Sequence, residues 1–66
     1  MDGRLRELRL AHVLTQDELA AKAGVSNKTV VDLEAGRTRP HQQTIRKLAR
    51  AFGLTPRELA LLLRSD

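Results

Sequence analysis

The sequence predicts an all-α domain of five short helices, and three observations carry that reading. Apolar residues recur at spacings of three and four along most of the chain, and polar capping residues or glycines bracket most such stretches. Nowhere do apolar and polar residues alternate over a strand's length. At 66 residues the chain makes one domain, 1–66, with room for a single core and none for a cleft between two layers, which argues against an enzyme.

The first segment, about Gly3 to His12, sets Leu5, Leu8, Arg9 and His12 on one face, with His12 expected as a partly buried structural histidine at its inner edge. The second opens at Thr15 with Glu18 three residues on, a capping box. It turns Leu19, Ala20 and Ala23 inward and stops at Gly24. Ser26 caps the third, which runs to about Ala35 with Val30 and Leu33 inward before Gly36 ends it. The loop Arg37-Thr38-Arg39-Pro40 leads to a fourth, about Gln42 to Phe52, whose stripe is Ile45, Leu48, Ala49 and Phe52, with Gly53 just past its end. Thr55, Pro56 and Glu58 start a fifth, with Leu59, Leu62 and Leu63 facing in. Ala60 and Leu61 make that last helix apolar nearly all round and leave Leu61 facing outward, a surplus that suggests a partner.

Composition narrows the chemistry. There is no cysteine, so disulfides, thiolate zinc sites and cysteine nucleophiles are excluded. His12 and His41 lack a paired ligand spacing, and neither metal nor cofactor is expected. Neither Ser26 nor Ser65 has a histidine and an acid in a recognisable catalytic arrangement, and Ser26 is better used as a cap. No apolar run approaches the roughly 20 residues of a membrane helix, and Met1-Asp2-Gly3-Arg4 lacks the apolar stretch of a signal peptide, so a cytoplasmic, membrane-free protein is expected. The net charge of +4 is segregated: residues 27–50 hold Lys28, Arg37, Arg39, Arg46, Lys47 and Arg50 against only Asp32 and Glu34, while the flanking stretches balance. Segregated positive charge suits a polyanion such as nucleic acid or an anionic membrane surface; a solvated basic face is the alternative.

The most specific signal is Thr15 to Gly36, TQDELAAKAGVSNKTVVDLEAG. Two short helices meet at a tight turn when a small residue on the first lets the second approach, a glycine supplies positive φ, and apolar residues lock the angle. Ala20, Gly24, Val25, Val30 and Leu33 meet those needs in that order. This segment resembles the phage-repressor and Cro-type helix-turn-helix family, also called the XRE family. The resemblance extends upstream to Arg9 and downstream through the Gly36 to Pro40 loop, Thr44-Ile45-Arg46-Lys47-Leu48-Ala49 and Gly53-Leu54-Thr55. It implies a compact five-helix bundle in which helices 2 and 3 form the helix-turn-helix and helix 3 reads double-stranded DNA.

On helix 3, Asn27, Lys28, Val31 and Asp32 share the face opposite Val30 and Leu33, where the resemblance places base-reading residues. Asparagine can pair with adenine, lysine can donate to guanine, aspartate can accept from cytosine, and valine can touch a thymine methyl. For Lys28 and Asp32 the alternative is an i,i+4 ion pair on a solvated helix, and a single exposed valine is common. By the same resemblance Gln16 bonds a phosphate and braces the start of helix 3, its alternative being an ordinary first-turn residue. Ser26, Thr29, Arg37, Thr38 and Arg39 complete the expected phosphate contacts, with Arg46, Lys47 and Arg50 as a rim or merely a solvated face. His41 replaces the Ser or Thr cap of helix 4. Arg9 and Glu34 match family positions that form a buried ion pair between helix 1 and the end of helix 3. One departure stands out: many relatives have Gly or Asn before Leu14, and Val13 here predicts that the first turn takes another path, because β-branched residues disfavour positive φ.

The expected function is therefore sequence-specific DNA binding by a transcriptional regulator acting as a repressor. A homodimer on an approximately palindromic operator is expected, joined through Leu61 and formed in solution or only on DNA. A protein-interaction module of the same fold, marked by weak and salt-insensitive DNA binding, and an antitoxin, marked by a co-purifying partner, are the competing readings.

Overall fold

The computed structural model describes residues 3–63, so Ser65 lies outside it. Within it the chain forms α1 (Arg4–Ala11), α2 (Gln16–Ala23), α3 (Asn27–Glu34), α4 (Gln42–Phe52) and α5 (Pro56–Leu63), and no strand occurs among the described residues.

Local chemistry explains where each helix begins. Thr15 Oγ1 accepts from the Glu18 amide at 3.0 Å while Glu18 returns a bond to the Thr15 amide at 2.8 Å. Thr55 and Glu58 repeat this reciprocal cap on α5 at 3.1 and 2.8 Å, and Ser26 Oγ accepts from the Thr29 amide at 3.1 Å. Each bond satisfies a backbone donor that the first helical turn leaves open. His41 occupies the N-cap of α4 without a side-chain cap bond.

The helix ends share one geometry. After α2, α3 and α4 the chain leaves through Gly24, Gly36 and Gly53, each with φ between 73° and 76°. The next amide reaches five residues back: Val25 to the Ala20 carbonyl at 3.0 Å, Arg37 to Asp32 at 2.9 Å, and Leu54 to Ala49 at 2.9 Å. The end of α1 uses the same closure, with Val13 to Leu10 at 2.9 Å and Leu14 to Arg9 at 3.2 Å. Here Val13 itself adopts φ 57°. The expectation of a different path is thus overturned. Val13 points into solvent, 86% exposed, so nothing sterically distant blocks the left-handed exit, and its cost stays local at about 1–2 kcal/mol.

The four largest fully buried side chains, Leu19, Val30, Leu48 and Leu59, come one each from α2, α3, α4 and α5. Leu5, Leu33, Ala49 and Phe52 surround them, and Ala51 is buried as well, although the expected stripe of α4 omitted it. Two inward assignments fail. His12 is exposed, because α1 ends at Ala11 and helical spacing no longer aims the residue after it; its ring rests tilted on Phe52 with centroids 4.9 Å apart. Leu62 is 38% exposed. The strip of α5 covered by α4 and α1 centres on Leu59 and Leu63, and at 100° per residue Leu62 falls at its edge.

Candidate nucleic-acid interface

Helix α3 has two faces with different electrostatics. Its inner side packs Val30 and Leu33 into the core and ends in Glu34, whose carboxylate is buried with Arg9 of α1. Arg9 Nε donates to Glu34 Oε2 at 2.6 Å and Nη2 to Oε1 at 3.0 Å, a bidentate pair, while Nη1 donates to the Leu14 carbonyl at 2.8 Å. Gln16 Nε2 adds a donor to Glu34 Oε1 at 3.1 Å. Glu34's hydrogen bonds hold the Arg9 guanidinium above its ordinary pKa, against the opposing effect of burial. Among the described residues no buried side-chain nitrogen or oxygen lacks a partner. A fully satisfied bidentate pair is the form in which two buried charges are tolerable.

The outer side of α3 presents Asn27 and Lys28, exposed, beside the half-covered Val31 and Asp32. Each polar member is tied to a neighbour. Asn27 Nδ2 donates to Asp17 Oδ1 at 2.6 Å, Lys28 Nζ to Asp32 Oδ2 at 2.7 Å, and Arg37 Nη1 to Asp32 Oδ1 at 3.2 Å. The i,i+4 pair weighed as the alternative for Lys28 and Asp32 is therefore present in the free protein. The Lys28 ammonium first, and then the Arg37 guanidinium, hold the Asp32 carboxyl below the usual carboxylate range.

The first turn of α2 straddles α3 and braces both of its ends. Gln16 was expected at the start of α3, but it reaches the far end through Glu34, and Asp17 holds the start through Asn27. Asp17 escaped the sequence reading because its contact depends on how α2 crosses α3. Ser26 Oγ and Thr29 Oγ1 lie 2.8 Å apart at the N-terminus of α3. Arg37, Thr38 and Arg39 are exposed just past its C-terminus, so hydroxyls flank one end of the face and cations the other. A groove of about 320 Å³ separates α3 from the following loop, lined by Lys28, Asp32, Thr38, Arg39, His41 and Thr44 among others. Arg46, Lys47 and Arg50 are exposed on α4. Leu61 lies on α5, 57% exposed beside Leu62.

Two short helices packed across a glycine turn, the second carrying amide, ammonium and carboxylate groups on its open side, define a helix-turn-helix domain of the DNA-binding class. The model of the helix-turn-helix family matches residues 5–59, and the chain belongs to that family, in its phage-repressor or XRE branch. It is 44% identical over 52 residues to an uncharacterised HTH-type transcriptional regulator of Archaeoglobus fulgidus, covering 79% of this chain and 74% of that one. It is 42% identical over 50 residues to multiprotein-bridging factor 1 of Candida albicans, covering 76% of this chain and 33% of that one. It is 36% identical over 57 residues to the transcriptional repressor RstR of the cryptic phage CTXphi from Vibrio cholerae, covering 86% of this chain and 51% of that one. The protein is thus a DNA-binding transcription regulator by family, a class that works by binding rather than by catalysis. No helix among the described residues is long and apolar enough to cross a membrane.

Proposed function

We propose that the domain recognises a specific duplex sequence by laying α3 in the major groove and represses transcription by occupying that operator. The observation that carries this reading is the open side of α3, where Asn27, Lys28, Val31 and Asp32 lie together between the hydroxyls of Ser26 and Thr29 and the cations of 37–39. The bond to Asp17 uses one N–H of the Asn27 amide and leaves an N–H and a carbonyl, the pair that a bidentate contact to adenine needs. Lys28 is the guanine donor, Val31 the thymine-methyl contact and Asp32 the acceptor for a cytosine amino group. Gln16 keeps a second amide N–H for a phosphate, and Ser26, Thr29, Arg37, Thr38 and Arg39 supply the other backbone contacts.

One such helix reads only a few base pairs. Two copies joined through the apolar surface around Leu61 and Leu62 set two reading helices about 34 Å apart on one face of the duplex, so the operator is an approximate palindrome. Selection of binding sites from a random duplex pool tests the reading. It should enrich a dyad-symmetric motif with half-sites about one helical turn apart. A pool that stays flat through successive rounds would overturn sequence-specific binding, and an enriched motif without dyad symmetry, bound one to one, would overturn the dimer.

A further inference from the structure

Asp32 sits at the centre of the reading face and spends its carboxylate on the two cations nearest to it. One oxygen takes Lys28 at 2.7 Å and the other takes Arg37 at 3.2 Å. These cations come from different elements, one from the first turn of α3 and one from the loop after it, so the carboxylate spans the length of the helix that would face DNA. Building on the proposed DNA-binding role, we infer that Asp32 is a specificity-determining residue that acts against the phosphate backbone as well as toward bases. It holds Lys28 and Arg37 away from phosphates on unselected DNA.

The physical argument is one of competing anions. Lysine and arginine gain affinity for any duplex by displacing condensed counterions, a gain independent of sequence. On unselected DNA, Lys28 and Arg37 must either leave Asp32 unpaired against a polyanion or stay where they are and forgo a phosphate. On a matching sequence the cost is met differently: a base-edge acceptor replaces the carboxylate for Lys28, and a cytosine or adenine amino group supplies Asp32 with a donor. The carboxylate therefore subtracts from binding everywhere and is compensated only at the right site. Specificity is a difference of affinities, and an element that penalises the wrong partner raises it as surely as one that rewards the right partner. Asp17 reinforces the arrangement by bonding Asn27 on the same face.

The test compares Asp32→Asn with Glu7→Gln on an unselected duplex and on a selected operator, across a salt series. Glu7 makes the same change in net charge but sits on α1, two residues from Arg9 and so turned away from α3. One released cation adds about 0.9 to the slope of log affinity against log salt, worth roughly tenfold between 1 M and 0.1 M. Asp32→Asn frees both cations, so it should bind the unselected duplex up to roughly sixtyfold more tightly at 0.1 M salt, with a slope steeper by about 1.8, and its ratio of selected to unselected affinity should fall. Adding Arg37→Ala should remove about half of that increase in slope and leave the part due to Lys28. If Asp32→Asn tracks Glu7→Gln in both affinity and slope, or keeps the wild-type ratio, the inference is overturned while the DNA-binding reading stands. If the wild type shows no preference for any duplex, both fall together.

Discussion

Two ion-pair clusters lie two residues apart on one helix and do opposite things. Glu34 is buried, held by Arg9 in a bidentate pair and by Gln16, and ties α1, α2 and α3 into one body. Asp32 faces outward, and its partners Lys28 and Arg37 are open to solvent. Both are carboxylates held by two neighbouring side chains at similar distances. Burial separates them: water can replace either partner of Asp32 at little cost, whereas nothing can replace the partners of Glu34. The contrast leaves α3 rigid on one side and exchangeable on the other, which the proposed reading role requires.

The largest expected effect breaks the buried cluster. Glu34→Ala strands the Arg9 charge and should cost about 3–5 kcal/mol in chemical denaturation. A domain of this length has a total stability of roughly 3–10 kcal/mol, so much of the population should unfold at room temperature. A loss under about 1 kcal/mol would place the pair among ordinary surface contacts and erase the contrast.

The turn that brackets the buried cluster offers a change of opposite sign. Arg9 also bonds the Leu14 carbonyl, and Leu14 follows the left-handed Val13. Val13→Gly removes the steric cost of φ 57° but adds freedom to the unfolded chain, for a net gain of about 1 kcal/mol. Gly53→Ala, at φ 73° with open space around its missing Cβ, should lose about as much. A melting temperature for Val13→Gly below that of wild type would mean that the turn carries no strain to relieve.

Gln16→Ala removes one donor from Glu34 and should cost about 1 kcal/mol, since Arg9 remains. The smallest effect belongs to Asp32. Its carboxyl is held below the ordinary carboxylate range, so its contribution to stability is fully present above that range and is lost as pH falls through the lower, folded value. The melting temperatures of wild type and Asp32→Asn should therefore differ slightly near neutral pH and converge in acid. A gap that widens on acidification would contradict the clamp.

Much of the framework was legible because its causes are local. Thr15 with Glu18 and Thr55 with Glu58 announce helix starts within four residues, and Gly24, Gly36 and Gly53 announce ends by the conformation each exit needs. The outward placement of Asn27, Lys28, Val31 and Asp32 follows from period alone once Val30 and Leu33 are inside. What escaped depends on how elements meet. Asp17 against Asn27, and Gln16 at the end of α3 instead of its start, follow from the crossing of α2 over α3, and helical spacing holds no information about that crossing. Leu62 departs from its expected inward place because an almost wholly apolar helix does not say which strip its neighbours cover. Val13 departs from the expected path because its intrinsic preference yields to the Leu14 amide and carbonyl, both of which Arg9 engages.

The division of α3 into a fixed side and a proposed reading side is tested most directly by amide and side-chain NMR shifts on titration with a selected operator duplex. The largest shifts should fall on Asn27, Lys28, Val31, Asp32 and residues 37–39, while the Arg9 Nε–H signal, locked on Glu34, stays in place and exchanges slowly with water. Shifts concentrated on α1 or α5, with the outer side of α3 unmoved, would contradict it.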